Sequence, residues 1–352
     1  MTATRGRTTA GGHIDVHAHF APPSTKEERV RAWQAMLGRG IYFPEPYEWS
    51  LERTLAHMDA SGTAMQMLSN IPGTEPAVRA SNDYGARLVA DHPSRFGLLA
   101  ALPTDDPAAA VREAERAREH LDADGFAVTA NYNGVHLGDA SLAPLWARLD
   151  DWGAVVFVHP DARRPPVLDH PAPLYEVAFE TARTVFDMVF RRTFTRYPNI
   201  TFVIAHCGGA FPALTGRLRL LGDEAWVPQG VTADEIDAQV STLYVDTAGT
   251  AATQSLLPAV ATVGVGHIVY GSDWGAPCTT EESAEADLRG LTQCGALSAE
   301  EADGVLRRAA ELFPRAARRM TPAVQRTRPA VSPVGTADPS HGGHVAAGRP
   351  ES

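Results

Sequence analysis

A (β/α)₈ barrel is the fold class this sequence predicts, and three observations predict it. Short apolar runs alternate with amphipathic stretches eight times over about 300 residues, as a parallel barrel with an outer ring of helices requires. No glycine-rich phosphate loop follows an early run, which an open doubly wound sheet would need; Gly11-Gly12 and Gly208-Gly209 do not form one. Several of the apolar runs end in a polar residue, and in such barrels chemistry gathers at the C-terminal strand ends.

The first run, Ile14 to Phe20, alternates as a strand does, with Ile14, Val16 and Ala18 expected on one face and Asp15, His17 and His19 on the other. Two imidazoles at i and i+2 point the same way, about 7 Å apart along the chain. His13 falls at the start of this strand and reads as structural. Ala21 to Ser50 reads as an irregular insertion carrying Trp33, Tyr42, Phe43, Tyr47 and Trp49, a lid or a subunit contact. Leu51, Leu55 and Met58 mark a helical face that stops at Gly62. The strand Ala64 to Ser69 follows, then a helix from Ala77 to Ala90, the strand Phe96 to Leu102 and a helix from Pro107 to Leu121. The strand Gly125 to Thr129 and the helix Leu142 to Trp152 complete the first half. The second half repeats the rhythm with strands at Ala154 to His159, Ile200 to His206, Leu243 to Asp246 and His267 to Asp273. Its helices are expected at Tyr175 to Phe194, from Pro212 to Leu221, at Thr253 to Val263 and at Glu281 to Leu291. Ser298 and Glu301 make a capping-box pattern that opens a C-terminal helix. Residues 1–11 read as a loose leader, 12–320 as the barrel, and the Pro-, Ser-, Gly- and His-rich residues 321–352 as a disordered tail that includes His341 and His344.

Composition narrows the partners. A net charge of −11 argues against a general binder of nucleic acid or anionic membrane. No apolar run reaches the roughly 20 residues of a membrane span, and the first dozen residues lack the apolar core of a signal peptide. Three cysteines without a CxxC pair point to a reducing, cytoplasmic setting.

The strand ends collect His17 and His19, then Asn131, His159, His206, Asp246 and Asp273. Neutral imidazoles with one carboxylate suit a borderline divalent ion such as Zn²⁺, and three or four protein ligands leave room for water or substrate. His17, His19, His159 and Asp273 can supply one such site. His206 is then left for catalysis, as a base or electrostatic partner; the alternative is a second metal. Two-metal barrels usually bridge their ions with a carboxylated lysine on a central strand, and the only lysine here, Lys26, lies outside the strands, so a single ion is expected.

The HxH strand, the His159-Pro160 pair, Ala205-His206-Cys207-Gly208-Gly209-Ala210-Phe211-Pro212 and Gly271-Ser272-Asp273-Trp274 together resemble the amidohydrolase superfamily, in the branch typified by aminocarboxymuconate-semialdehyde decarboxylase. Trp49-Ser50-Leu51, Pro93-Ser94-Arg95-Phe96-Gly97, Asn131-Tyr132 and Phe179-Glu180-Thr181-Ala182-Arg183 are similar to the 6-methylsalicylate and related aromatic-acid decarboxylases. The resemblance runs from His13 to Phe313. It implies His17, His19, His159 and Asp273 as ligands of Zn²⁺ or Mn²⁺, with His206 and Asp273 catalytic. It further implies a substrate contact near Asn131 and a substrate-carboxylate contact from Arg217, made in the neighbouring subunit's site of a homodimer or higher oligomer. The reaction implied is the non-oxidative decarboxylation of a small aromatic, salicylate-like or enoic acid by a lyase that needs no organic cofactor. Metal-assisted hydrolysis of an amide, lactone or C–C bond, or hydration, is the alternative on the same scaffold, and a non-catalytic binding protein fits the intact ligand set least.

Overall fold

The computed structural model describes residues 12–38, 41–161, 166, 168 and 170–320. The leader and the tail named above, with His341 and His344, lie outside the described residues. Eight parallel strands follow one another around the sheet in chain order: β1 (His13–His19), β2 (Thr63–Ser69), β3 (Phe96–Ala101), β4 (Gly125–Thr129), β5 (Val155–His159), β6 (Thr201–Ile204), β7 (Tyr244–Asp246) and β8 (Ile268–Val269). The stretch after β8 closes the barrel onto β1 through Val16 N to Tyr270 O (3.0 Å), Asp273 N to His17 O (2.9 Å) and His19 N to Trp274 O (2.6 Å). No described helix is long and apolar enough to cross a membrane.

Two apolar layers hold this barrel. Met65, Met67, Leu99, Phe157 and Val203 fill its interior with Ile14 and Val16, and Phe313 and Ala316 of the C-terminal helices plug the floor. Leu68, Leu98, Val128, Val156 and Ile204, on the alternate positions of the same strands, pack against the surrounding helices. Burial on both faces explains why these strands read as continuous apolar runs. The C-terminal helix (Ala299–Leu312) opens on the expected capping box, in which Ser298 Oγ accepts from Glu301 N at 3.2 Å and Glu301 Oε2 accepts from Ser298 N at 2.8 Å.

Two local expectations fail. The alternation along β1 does not persist: Ile14 and Val16 face the barrel interior, whereas Ala18 packs with Leu68 on the helix side. Three steps of β1, from Asp15 to Ala18, lie opposite two steps of β2, from Gln66 to Leu68. This is a β-bulge, which adds one residue and re-aims the side chains beyond it. The amide of His17, displaced at the bulge, donates to Asp15 Oδ1 at 3.1 Å. The insertion after β1 is not wholly irregular either. It contains a helix (Lys26–Leu37) with a Thr25–Glu28 capping box, and none of that helix's residues is buried, so it lacks the apolar stripe that reveals a helix in sequence.

Candidate active site

Four imidazoles converge at the C-terminal mouth of the barrel. The rings of His17, His19, His159 and His206 lie with neighbouring centroids 4.8–5.4 Å apart. Each has its Nδ1 tied to a fixed oxygen: His17 to Asp246 Oδ2 (2.7 Å), His19 to Ser69 O (3.3 Å), His159 to Pro160 O (2.8 Å) and His206 to Ala248 O (3.1 Å). In the neutral imidazoles those acceptors favour the proton on Nδ1, which leaves Nε2 as the lone pair able to ligate. His17 Nε2 lies 3.1 Å from His19 Nε2, and Asp273 Oδ1 lies 3.2 Å and 3.1 Å from the two. Asp273 Oδ1 is buried without a hydrogen-bond donor. Lone pairs meeting at this distance repel unless a cation stands among them. Two ligand atoms each about 2.1 Å from one ion sit about 3.0–3.4 Å apart, which is the spacing found. His17, His159, His206 and Asp273 also offer ligand atoms that all lie within 4.8 Å of one another.

The electrostatics of the bare protein say the same. Burial pulls the His17 imidazole down, but the carboxylates of Asp246 and Asp273 outweigh it and push the group up to about 10. Burial opposes ionisation of Asp273, and its close contacts with the His17 and His19 rings, with the charge of His17 and then His206, nevertheless hold it well below the usual carboxylate range. The cluster therefore takes up a proton where no divalent cation is present, and a metal entering it must displace that proton. Burial, then repulsion from its neighbours, pushes His159 well below the ordinary imidazole value. His206 is lowered too, by burial and then by His17.

Asp246 is the residue whose work the sequence did not disclose. Its Oδ2 orients His17, while its Oδ1 accepts from the backbone amides of His206 (2.8 Å) and Ala248 (3.0 Å). One carboxylate thus holds the ring of His17, the role an outer carboxylate plays behind a metal-bound histidine, and pins the backbone at His206. Its only sequence signal was a charge ending an apolar strand. Gly271 makes the approach possible, since a Cβ there would fall 2.7 Å from His17 Cβ and 3.0 Å from Asp246 Cβ. His206 and Asp273 both adopt positive φ (55° and 58°), a conformation rare outside glycine and concentrated at functional sites. His206 accordingly begins a 3₁₀ turn (His206–Gly208) and is not the last residue of a strand, as the sequence had implied.

Above the imidazoles is a cavity of about 420 Å³, lined by His19, His159, His206 and Asp273 at its base. Met36, Ile41, Phe43, Tyr47, Ile71 and Pro173 form much of its wall. The insertion after β1 is therefore the roof of the pocket, braced where Trp33 Nε1 donates to Phe43 O at 2.7 Å. Asn131 is not brought here. It is buried in a hairpin with Val135–His136, its amide nitrogen on His136 Nε2 (2.8 Å) and its oxygen on Gly134 N (2.9 Å), and it is not among the residues that line the cavity. Arg217 is also outside the pocket, in an outer groove with Phe190, Leu214, Leu218 and Trp226. Lys26 begins an exposed helix, away from the strand ends where a bridging carbamate would stand.

Barrel and cluster together define a (β/α)₈ protein with a histidine and carboxylate group at its mouth able to hold a metal ion. The amidohydrolase family model matches residues 14–315, and the chain belongs to that family. Among its relatives, the decarboxylase yanB of Aspergillus niger is 33% identical, over 86% of this chain and 87% of the relative. The 6-methylsalicylic acid decarboxylase of Penicillium expansum is 30% identical, over 74% of this chain and 84% of the relative. A solved dihydroxybenzoic acid decarboxylase from a Polaromonas species, with bound manganese and the inhibitor 2-nitroresorcinol, superposes with a TM-score of 0.69. It is 23% identical and is covered over 97% of its length by 86% of this chain.

Proposed function

We propose that this protein is a metal-dependent, non-oxidative decarboxylase of a small aromatic, salicylate-like carboxylic acid. The observation that carries the reading is the convergence of imidazole nitrogens and the Asp273 carboxylate at the base of a small, largely apolar cavity. His17, His19, His159 and Asp273 would hold one divalent ion. Three nitrogens and one carboxylate suit Zn²⁺, and the manganese of the Polaromonas structure makes Mn²⁺ the other candidate. When bound, the ion supplies Lewis acidity toward the carboxylate and a neighbouring oxygen of the substrate.

The protein's own groups do the rest. The apolar wall from Met36 to Phe43 and at Ile71 receives the flat ring and excludes water from it. Thr279 Oγ1 donates to Asp273 Oδ2 at 3.1 Å, which fixes that carboxyl and leaves Oδ1 turned to the imidazoles. His206, held through Nδ1 by Ala248, presents Nε2 as the atom that would take up a proton from water or from the substrate's own acidic group and pass it on, with Asp273 as the other proton-handling group. Delivery of that proton to the carbon bearing the carboxylate lets the C–C electron pair remain with the ring as CO₂ departs.

Purified protein with quantified metal, offered a panel of hydroxybenzoates, should release CO₂ and place deuterium on the vacated carbon in D₂O. Turnover of lactones or amides without CO₂ would replace this reading with hydrolysis. Metal analysis of protein prepared without chelator decides between zinc and manganese.

The assembly proposed is a homodimer in which Arg217 of the partner subunit reaches the substrate carboxylate. The apolar surroundings of Arg217, with Leu220 and Trp226 exposed beside it at 72% and 69%, support a contact on this face. Light scattering tests the mass, and Arg217→Ala should raise KM. Three free cysteines agree with a cytoplasmic setting.

A further inference from the structure

Asp15 is fully buried and lines no part of the pocket. Its Oδ1 accepts from the backbone amides of His17 (3.1 Å) and Ser272 (3.0 Å), and its Oδ2 accepts from Gln66 Nε2 (3.0 Å) and Ser272 Oγ (2.6 Å). A carboxylate has about four acceptor positions, and donors take them all. The group is saturated as an acceptor, which leaves it no part in moving protons.

What it joins is informative. His17 belongs to the first strand and Ser272 immediately precedes Asp273 on the segment after the last. That segment is held weakly by regular pairing, because β8 contributes only Ile268 and Val269 to its ladder with β7. Beyond Val269 the chain is secured to β1 by the three backbone bonds of the closing seam and by Asp15. Ser272 Oγ in turn accepts from Trp274 N at 3.0 Å, so the Asp15 network brackets Asp273 on both sides. The β1 bulge that aims His17 is stabilised by the same carboxylate.

We propose that Asp15 is a positioning residue of the metal site: a buried clasp across the β1–β8 seam that brings His17 and Asp273 into ligand spacing before an ion binds. The proposal rests on the metal reading above.

The test uses full-length, chelator-treated protein titrated with Mn²⁺ and with Zn²⁺ by calorimetry, alongside hydrogen exchange of peptides spanning residues 12–19 and 268–276. Asp15→Asn keeps the shape, but with its oxygen on the two amides its new N–H₂ group faces the Gln66 donor. Metal affinity should fall at least about fivefold, toward the 10–100-fold typical of outer-shell losses, with exchange accelerated in those two peptides and not in β3 to β5. Adding Gln66→Glu supplies the acceptor the amide then needs at unchanged net charge, and should recover part of the affinity. A smaller loss in Asp15→Asn, exchange that rises uniformly, or a double variant no better than the single overturns the clasp. Should Asp15→Asn fail to fold, Ser272→Ala removes two bonds of the network, to Asp15 Oδ2 and from Trp274 N, and must still weaken metal binding; unchanged affinity overturns the proposal. If the unaltered protein binds neither ion, the metal reading itself falls. If it binds and the variants match it, only the clasp does.

Discussion

Replacing Asp246 by asparagine exchanges an oxygen for an NH₂ group, yet it should weaken metal binding by about one to two orders of magnitude. The carboxylate accepts from His206 N and Ala248 N on Oδ1 and from His17 Nδ1 on Oδ2. An asparagine satisfies the two backbone donors only by turning its oxygen to them, which puts its N–H₂ against His17 Nδ1. The imidazole relieves that clash by moving its proton to Nε2, the atom turned toward His19 and Asp273. A protonated Nε2 cannot ligate, and the same substitution behind a catalytic histidine is known to trap the wrong tautomer. The lost 2.7 Å contact is a charge-assisted hydrogen bond, worth about 1.5–3 kcal/mol. That corresponds to roughly a 10- to 150-fold loss in metal affinity. Calorimetric titration with Mn²⁺ or Zn²⁺ reads it directly, with circular dichroism confirming the fold. Affinity within threefold of the unaltered protein would refute the assignment of His17 as a ligand through Nε2.

Further outcomes follow from the same geometry. His206→Ala should keep its metal and lose about 10²–10⁴ in turnover; loss of metal would make His206 a ligand instead. Gly271→Ala drives a Cβ into His17 and Asp246, so metal affinity should fall together with about 1–3 kcal/mol of stability, read by urea titration. Phe43→Ala opens the roof and should raise KM more than it lowers kcat. His13 is buried against Thr63 and Tyr270, and burial pulls its imidazole down to about 4. Its neutral form is favoured in the folded state, so its contribution is intact above pH 6.5 and is lost as pH falls from there toward 4, about 2–3 kcal/mol by pH 4.5. The stability difference between the unaltered protein and His13→Gln should shrink by that amount between pH 7.5 and 4.5; a pH-independent difference would show that His13 titrates normally.

The barrel was legible because its strands are buried on both faces and its helices on one, and those periods are written locally. The ligand-type residues were legible because each stands near the end of an apolar run or just beyond it, where a polar side chain has no packing reason to be. The insertion helix at Lys26–Leu37 was not legible, since a helix that buries nothing carries no stripe. The surroundings of Asn131 were not legible for a related reason: its position after β4 suggested the pocket, while its side chain is held in a hairpin whose partner, His136, has no sequence feature marking the pairing.

By itself, then, the sequence determined the eightfold architecture and the set of histidines and carboxylates from which a single-metal site could be built. Tertiary structure alone decided how that set is aimed. The bulge between Asp15 and Ala18 arises from pairing with β2, and the left-handed backbone at His206 and Asp273 from loops packed against neighbouring strands. The proton on His17 Nδ1 is held by a carboxylate 229 positions away. Such choices depend on distances between strands remote in the chain, and no local pattern of residues encodes them.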